Sequence, residues 1–225
     1  MYRAILVVVF LMSPAVFASG SGATSAPSMP MGSSQSTPQE LARDAYNDGV
    51  RLIHRADDSV ADASAATDAA KRQKKQDRAT EYYRKALGRF ESAVAQDPSM
   101  YQAWNYLGYA RRHLGDYSAA LDAYQQALSI NPAYVEAIEY RGHAYLGLNR
   151  LDDAKDAYLS LFPVDRKLAA QLLTGMQAWV ASHRLDGQGV EAAVLDEFAK
   201  WVNERGTIAG TTAALTRDGA ASGWR

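Results

Sequence analysis

The chain of 225 residues contains no cysteine. Disulfides, thiolate metal sites and cysteine nucleophiles are excluded together. An excess of either charge is missing too: 24 Lys and Arg stand against 25 Asp and Glu, a formal net charge of -1. No global basic field exists to hold nucleic acid or an anionic membrane. The main apolar run, residues 4–12, is shorter than the roughly 20 residues a membrane-spanning helix needs. Signatures of catalysis are absent as well. There is no Gly-rich phosphate loop, no Gly-x-Ser-x-Gly elbow and no His-Glu-x-x-His pair. The carboxylates fall on helix faces expected to be solvated, where nothing tunes them for acid–base work. The expectation is a chain that is not an enzyme and has no catalytic residue, cofactor or metal.

What is present is 48% hydrophobic residues, which suits a folded core. Residues 1–18 read as a secretory signal: Arg3 gives the positive start, Ser13-Pro14 breaks the apolar run, and Val16-Phe17-Ala18 offers small residues for cleavage. An uncleaved anchor is the plainer alternative. Export to a bacterial periplasm is the expected localisation. Removing residues 1–18 takes away one Arg and no acid, leaving 23 basic against 25 acidic residues. Residues 19–38 are rich in Ser, Gly, Ala, Pro and Met and are expected to be a flexible linker, too polar to offset ordering entropy. Within them Met29-Pro30-Met31 evokes a thioether copper site, but no third ligand sits at useful spacing.

A helix is predicted to open at Thr37-Pro38-Gln39-Glu40, with Thr37 as N-cap, Pro38 in the first turn and Glu40 placed for a capping box. From Gly49 to Ala86 is 37 residues, whereas Gly108 to Ala120 is 12. The first helical pair therefore carries about 25 residues more than the following period allows. The surplus, rich in Ala and charge and free of Pro and Gly, predicts a long antiparallel pair with its turn between Ser59 and Thr67. Lys71, Arg72, Lys74, Lys75 and Arg78 form a basic cluster on the second arm. It reads either as a solvated face paired in part with Asp57, Asp58, Asp62 and Asp68, or as a projecting contact for an acidic partner or anionic lipid head groups.

A fixed interval then organises the chain. Trp104, Leu107, Gly108, Ala120, Tyr124, Ala127 and Pro132 recur 34 residues later as Ile138, Gly142, Ala154 and Tyr158, and 34 residues earlier as Ala86, Phe90, Ala93 and Pro98. This spacing resembles the tetratricopeptide repeat, a helix-turn-helix unit of about 34 residues. The resemblance implies an all-α fold, a right-handed superhelix of helical hairpins (an α-solenoid). An extended first hairpin would occupy residues 39–100, with repeats at 101–134 and 135–165. Arg141 departs from the pattern's Leu, and Leu161-Phe162-Pro163 from its usual ending. Capping helices are expected over 166–205, the first lying between Asp165 and His183. Leu168, Leu172, Met176, Trp179 and Val180 form its apolar stripe, and Val190, Val194, Phe198, Trp201 and Val202 form the next. The last helix is expected to end near Arg205-Gly206, with a flexible tail over 206–225 that holds at most a short helical piece around Ile208 and Leu215.

The resemblance also implies a concave groove made by the first helix of each pair. It would present Gln102, Asn105, Tyr109, Arg112 and His113, then Glu136, Glu139 and His143. Exposed tyrosine beside mixed charge suits peptide recognition. An ordinary polar groove without a ligand is the plainer reading. Some family members clamp a terminal carboxylate with Lys, Asn and Arg. The matching positions here are Tyr46, Val50, Tyr106, Glu136 and Tyr140, which lack that chemistry. His113, His143 and Glu139 would make a zinc-like trio only without the usual ligand spacing. Trp179, Phe198 and Trp201 read first as cap packing and second as a sticky patch for a partner. The expected function is a non-catalytic adaptor binding a peptide or protein through the groove. A ligand- or glycan-binding accessory subunit of an envelope complex is the alternative. Oligomeric state is left open.

Overall fold

The computed structural model describes residues 36–186 and 189–221, with side chains over 36–185 and 189–211. The segment expected to be a signal and most of that expected to be a linker, including Met29-Pro30-Met31, lie outside the described residues, as does the end of the tail. Among the described residues the chain forms eight helices and no strand. They are α1 (Pro38–Ala65), α2 (Ala69–Gln96), α3 (Tyr101–His113), α4 (Tyr117–Ile130), α5 (Val135–Gly147), α6 (Leu151–Leu161), α7 (Arg166–Asp186) and α8 (Ala192–Ala221). Each helix packs on the next, and α3 also touches α1 and α5, giving a stack of helical hairpins.

The first hairpin starts as its sequence predicts. Thr37 Oγ1 accepts the Glu40 amide at 3.2 Å, and Glu40 Oε2 accepts the Thr37 amide at 2.8 Å. At 28 residues each, α1 and α2 are about 42 Å long, and α3, with 13 residues, about 20 Å. The turn lies at Ala66–Asp68, at and just past the far edge of the expected window. Asp68 sets it by capping α2 through the Lys71 amide at 2.8 Å. Ser59 and Ser64 do not interrupt α1, because their hydroxyls donate back to the carbonyls of Arg55 and Val60. Ala42, Ala45, Gly49, Ile53, Ala56, Ser59 and Ala63 are buried at helical spacing, so small side chains set the close approach of α2. Of the five cations on the arm, Lys75 pairs with Asp62 at 2.8 Å.

The glycine sockets appear at the spacing expected. A Cβ on Gly49 would lie 2.6 Å from the Phe90 ring, and one on Gly108 2.6 Å from the Tyr124 ring. Between α3 and α4 Gly115 turns the chain with φ 84°, and Asp116 caps α4 through the Ala119 amide. Asn149 takes the corresponding left-handed position with φ 56°.

In the cap, α7 buries Leu172, Met176, Trp179 and Val180, while Leu168 is half-buried. Two expectations for the last helix need correction. Phe198 and Val202 are buried as expected and Val190 and Trp201 pack half-buried beside them, but Val194 is exposed and Leu195 and Ala199 complete the buried stripe in its place. The helix also runs through Arg205-Gly206 to Ala221 instead of stopping there. A lone helical glycine costs about 1 kcal/mol but leaves the hydrogen-bond ladder intact. Thr207 and Thr211 donate to the carbonyls of Asn203 and Thr207, so both join the helix.

Candidate functional site

The first helices of successive hairpins, α1, α3 and α5, lie side by side and place aromatic rings in a continuous strip. Tyr46 meets Tyr106 edge-on with centroids 5.8 Å apart, Tyr106 lies 6.2 Å from Tyr109, and Tyr109 meets Tyr140 edge-on at 5.0 Å. All four are half-buried. Beneath them the buried Phe90 ring stacks on Tyr106 at 5.5 Å, and the buried Tyr124 lies 6.3 Å from Tyr140. Offset and edge contacts of this kind hold aromatic clusters in place.

Asp57 anchors one end of the strip. Its carboxylate accepts the Tyr83 hydroxyl at 2.6 Å and the Tyr109 hydroxyl at 3.1 Å. Arg112 sits over the Tyr109 ring at 5.1 Å and 5.9 Å from that of Tyr140, a cation–π arrangement. One of its Nη–H groups donates to His113 Nε2 at 3.0 Å. The His113 ring in turn lies 4.5 Å from Tyr83 and 4.4 Å from Tyr109. Loss of water around this ring, then the Arg112 cation and His143, push His113 down to about 3. The residue still has an exposed edge, where solvent moderates that penalty. Burial is also the leading cause for the phenols: it raises Tyr46, Tyr106 and Tyr109, and takes Tyr140 up to about 12. The strip therefore carries neutral hydroxyls at neutral pH.

The structure brings Tyr109, Arg112 and His113 together as one unit, and Glu139 with His143 as another. His143 Nε2 donates to Glu139 Oε1 at 2.8 Å, and the His143 ring fills the space over Gly175 of α7. Gln102 and Glu136 are half-buried on the groove side. Asn105 and Glu139, at 1% and 4% exposure, lie beneath the surface instead of lining it. Asn105 Oδ1 has no hydrogen-bond partner. No set of three His, Asp or Glu residues able to hold a metal occurs among the described residues. No helix among them is long and apolar enough to cross a membrane.

Sequence reasoning placed Asp57 on a solvated arm and named Tyr46, Tyr106 and Tyr140 only as unlike a carboxylate clamp. Tyr83 was assigned to no site. The signal for Asp57 was available: Tyr46, Val50, Ile53 and Asp57 follow at helical spacing, so the lengthened α1 carries the groove stripe past the ordinary end of a repeat.

Comparison with known proteins agrees with this architecture. Family models described as tetratricopeptide repeat match residues 76–135 and 111–176. Among solved structures, the second TPR domain of human RPAP3, determined by NMR in complex with an HSP70 peptide, is 17% identical. The alignment covers 61% of this chain and 95% of that one, with a TM-score of 0.47. The first TPR of Spaghetti (RPAP3), bound to an HSP90 peptide, is 19% identical over 59% of this chain and 94% of that one, TM-score 0.40. A tetratricopeptide repeat protein from Parabacteroides merdae is 16% identical over 84% of this chain and 79% of that one, TM-score 0.38. No curated protein matches the chain. Over residues 76–176 the chain is thus similar to the tetratricopeptide repeat.

Proposed function

We propose that this protein is a non-catalytic interaction scaffold that receives a peptide or an extended protein segment along the groove of α1, α3 and α5. The observation that carries the reading is the strip of four half-buried tyrosines, Tyr46, Tyr106, Tyr109 and Tyr140, drawn from three helices and held by mutual ring contacts. Tyrosine offers large contact area, a hydroxyl for main-chain groups and little rotamer entropy to lose. The related RPAP3 domains hold peptides, and a peptide ligand for this chain is proposed on its own groove chemistry. The setting belongs to the same proposal. The positively charged start, short apolar run and small residues of residues 1–18 support export to a bacterial envelope.

A ligand- or glycan-binding accessory subunit would instead use the recess of about 410 Å³ bounded by Tyr117, Gly147, Asn149, Trp179 and His183. Trp179 is 8% exposed and its ring is covered by His183 at 3.8 Å, so it offers no free aromatic face to a sugar. The groove is the better candidate. Affinity capture from envelope extracts, comparing wild type with Tyr109→Ala plus Arg112→Ala, tests it. The variant should lose the wild-type partners while keeping a cooperative melt. Retrieval of the same partners by both proteins sinks the groove reading.

A further inference from the structure

We infer that the groove selects a cationic stretch of peptide, with lysine or arginine at alternate positions of an extended chain. The inference rests on the groove reading above and adds to it the chemistry of the occupant. Four charged side chains act on the tyrosines of the strip: Asp57, Glu136, Glu139 and Arg112. Glu139 lies beneath the surface against His143, so at the groove surface Asp57 and Glu136 stand against Arg112, an excess of one negative charge.

The one cation is not free to meet a ligand carboxylate. Arg112 is committed to the Tyr109 and Tyr140 rings and to His113. His113, held down to about 3, adds no positive charge at neutral pH. The positions that the tetratricopeptide resemblance matches to a carboxylate clamp, Tyr46, Val50, Tyr106, Glu136 and Tyr140, include no cation.

The carboxylates differ in what remains open to them. Asp57 accepts two phenols and Glu139 accepts His143. Glu136 is half-buried and, among the described residues, makes no ion pair or side-chain hydrogen bond, although its field reaches both Tyr106 and Tyr134. Its oxygens are not among the buried unpartnered atoms, so the carboxylate is open to solvent and can take a charge-assisted hydrogen bond from a ligand cation. The rings beside it suit the same visitor. Arg112 already shows that they accept a guanidinium over their faces, and tyrosine–cation contacts strengthen as water is excluded.

Spacing points to alternate positions. Same-face residues of an extended chain lie about 6.6 Å apart, close to the 5.8, 6.2 and 5.0 Å steps of the ring strip. Each second side chain of the peptide would meet the next ring.

The test uses the chain with its groove intact and four fluorescent nonapeptides read by anisotropy. Three have blocked ends and carry arginine, glutamate or serine at alternate positions. The fourth is the glutamate peptide with a free C-terminal carboxylate. The arginine peptide should bind at least tenfold more tightly than the serine peptide. Binding should weaken on Tyr106→Ala and about tenfold on Glu136→Lys, and Glu136→Gln should give an intermediate loss. Melting curves of each variant establish that it is folded. Tyr106-dependent binding of either glutamate peptide in preference to arginine overturns the cationic inference and leaves the groove reading standing. Arginine binding that ignores both Glu136→Lys and Tyr106→Ala marks diffuse surface attraction and also overturns the inference. If no peptide shows a Tyr106-dependent signal, the groove reading falls with it.

Discussion

In the α3/α4 hairpin, the space over Gly108 is filled by the Tyr124 ring of the partner helix. In α5/α6, the equivalent space over Gly142 is filled mainly by Leu172, which comes from α7, with Ala157 alongside. Tyr158, which stands where Tyr124 stands in the earlier repeat, turns instead toward Phe162 at 5.5 Å and Trp201 of α8 at 5.6 Å. The same residues at the same interval thus do two jobs. Inside the array the aromatic closes its own hairpin. At the end the cap supplies the plug, and the aromatic is released to tie the cap down. α6 is also the shorter second helix, 11 residues against 14 for α4. Terminal units of stacked repeats need such a covering, because nothing else buries their open flank.

The largest effect expected from this comparison is at the aromatics themselves. Tyr124 is fully buried and Tyr158 is 1% exposed. Either Tyr→Ala change should cost about 3–5 kcal/mol in chemical denaturation. The two should differ in where the loss appears: Tyr158→Ala should loosen exchange protection in α8, and Tyr124→Ala should not. Equal loosening of α8 by both would show that the two sockets are coupled and would break the distinction. Next in size are the glycines. On Gly108 an alanine methyl would meet three ring carbons of Tyr124 at 2.6–2.9 Å, and a flat buried ring has nowhere to go. A net loss of about 1–3 kcal/mol is expected. On Gly142 the methyl would meet the terminal methyls of Leu172 at 2.6 and 2.8 Å. These can rotate aside, and the gain in helix propensity of about 1 kcal/mol offsets much of the crowding. Thermal melts of Gly108→Ala and Gly142→Ala should therefore separate clearly. A Gly142→Ala protein as damaged as Gly108→Ala would mean that Leu172 is locked.

Much of this was legible in the chain because recurring small residues report close helix approach directly. Gly49, Gly108, the capping box at Thr37 and the left-handed Asn149 follow from local rules. What could not be read depends on partners distant in sequence. No local pattern says that Leu172 displaces Tyr158 from the last socket. None says that Val194 faces water while Leu195 turns inward, a one-residue shift that only the orientation of α8 on α7 decides. In the groove, helical periodicity placed Tyr109 and Arg112 on the correct side. The same periodicity carries the stripe on to Asp57, but it gave no hint that Asn105 and Glu139 would sink below the surface, or that two phenols would take up the Asp57 carboxylate.

A third effect reports the surroundings of the groove residue His113 through pH. His113 sits in α3 with its charged form disfavoured, lowered from 6.5 to about 3. Above pH 6.5 both folded and unfolded chains hold it neutral, and it contributes nothing. Below pH 6.5 the unfolded chain takes up a proton that the folded chain refuses until pH approaches 3. Stability therefore falls as pH falls across this window. Because the ring has an exposed edge, the slope should be shallower than one full proton would give. His113→Phe preserves stacking on Tyr83 and cannot titrate. Its denaturation free energy should decline less than wild type between pH 6 and pH 4, and parallel curves would show that the ring is better hydrated than its neighbours indicate.

The smallest effect returns to the pair of repeats, at Asn105 of α3 and Glu139 of α5. They occupy the same place in successive units, both beneath the aromatic strip. Glu139 has His143 one turn away, with 2.8 Å between Oε1 and Nε2. Asn105 Oδ1 has no partner. A buried acceptor without a donor is a liability, whereas a satisfied one is an asset, and the two differ by about 1–3 kcal/mol on removal. Asn105→Leu, close in volume, should leave stability unchanged or raise it by about 1 kcal/mol. Glu139→Leu should lower it, because the His143 N–H would then lack its acceptor against Gly175. If Asn105→Leu destabilises the fold as much as Glu139→Leu does, an ordered water or a bound segment completes Asn105 in solution, and the first hairpins hold a satisfied polar layer like that of the last.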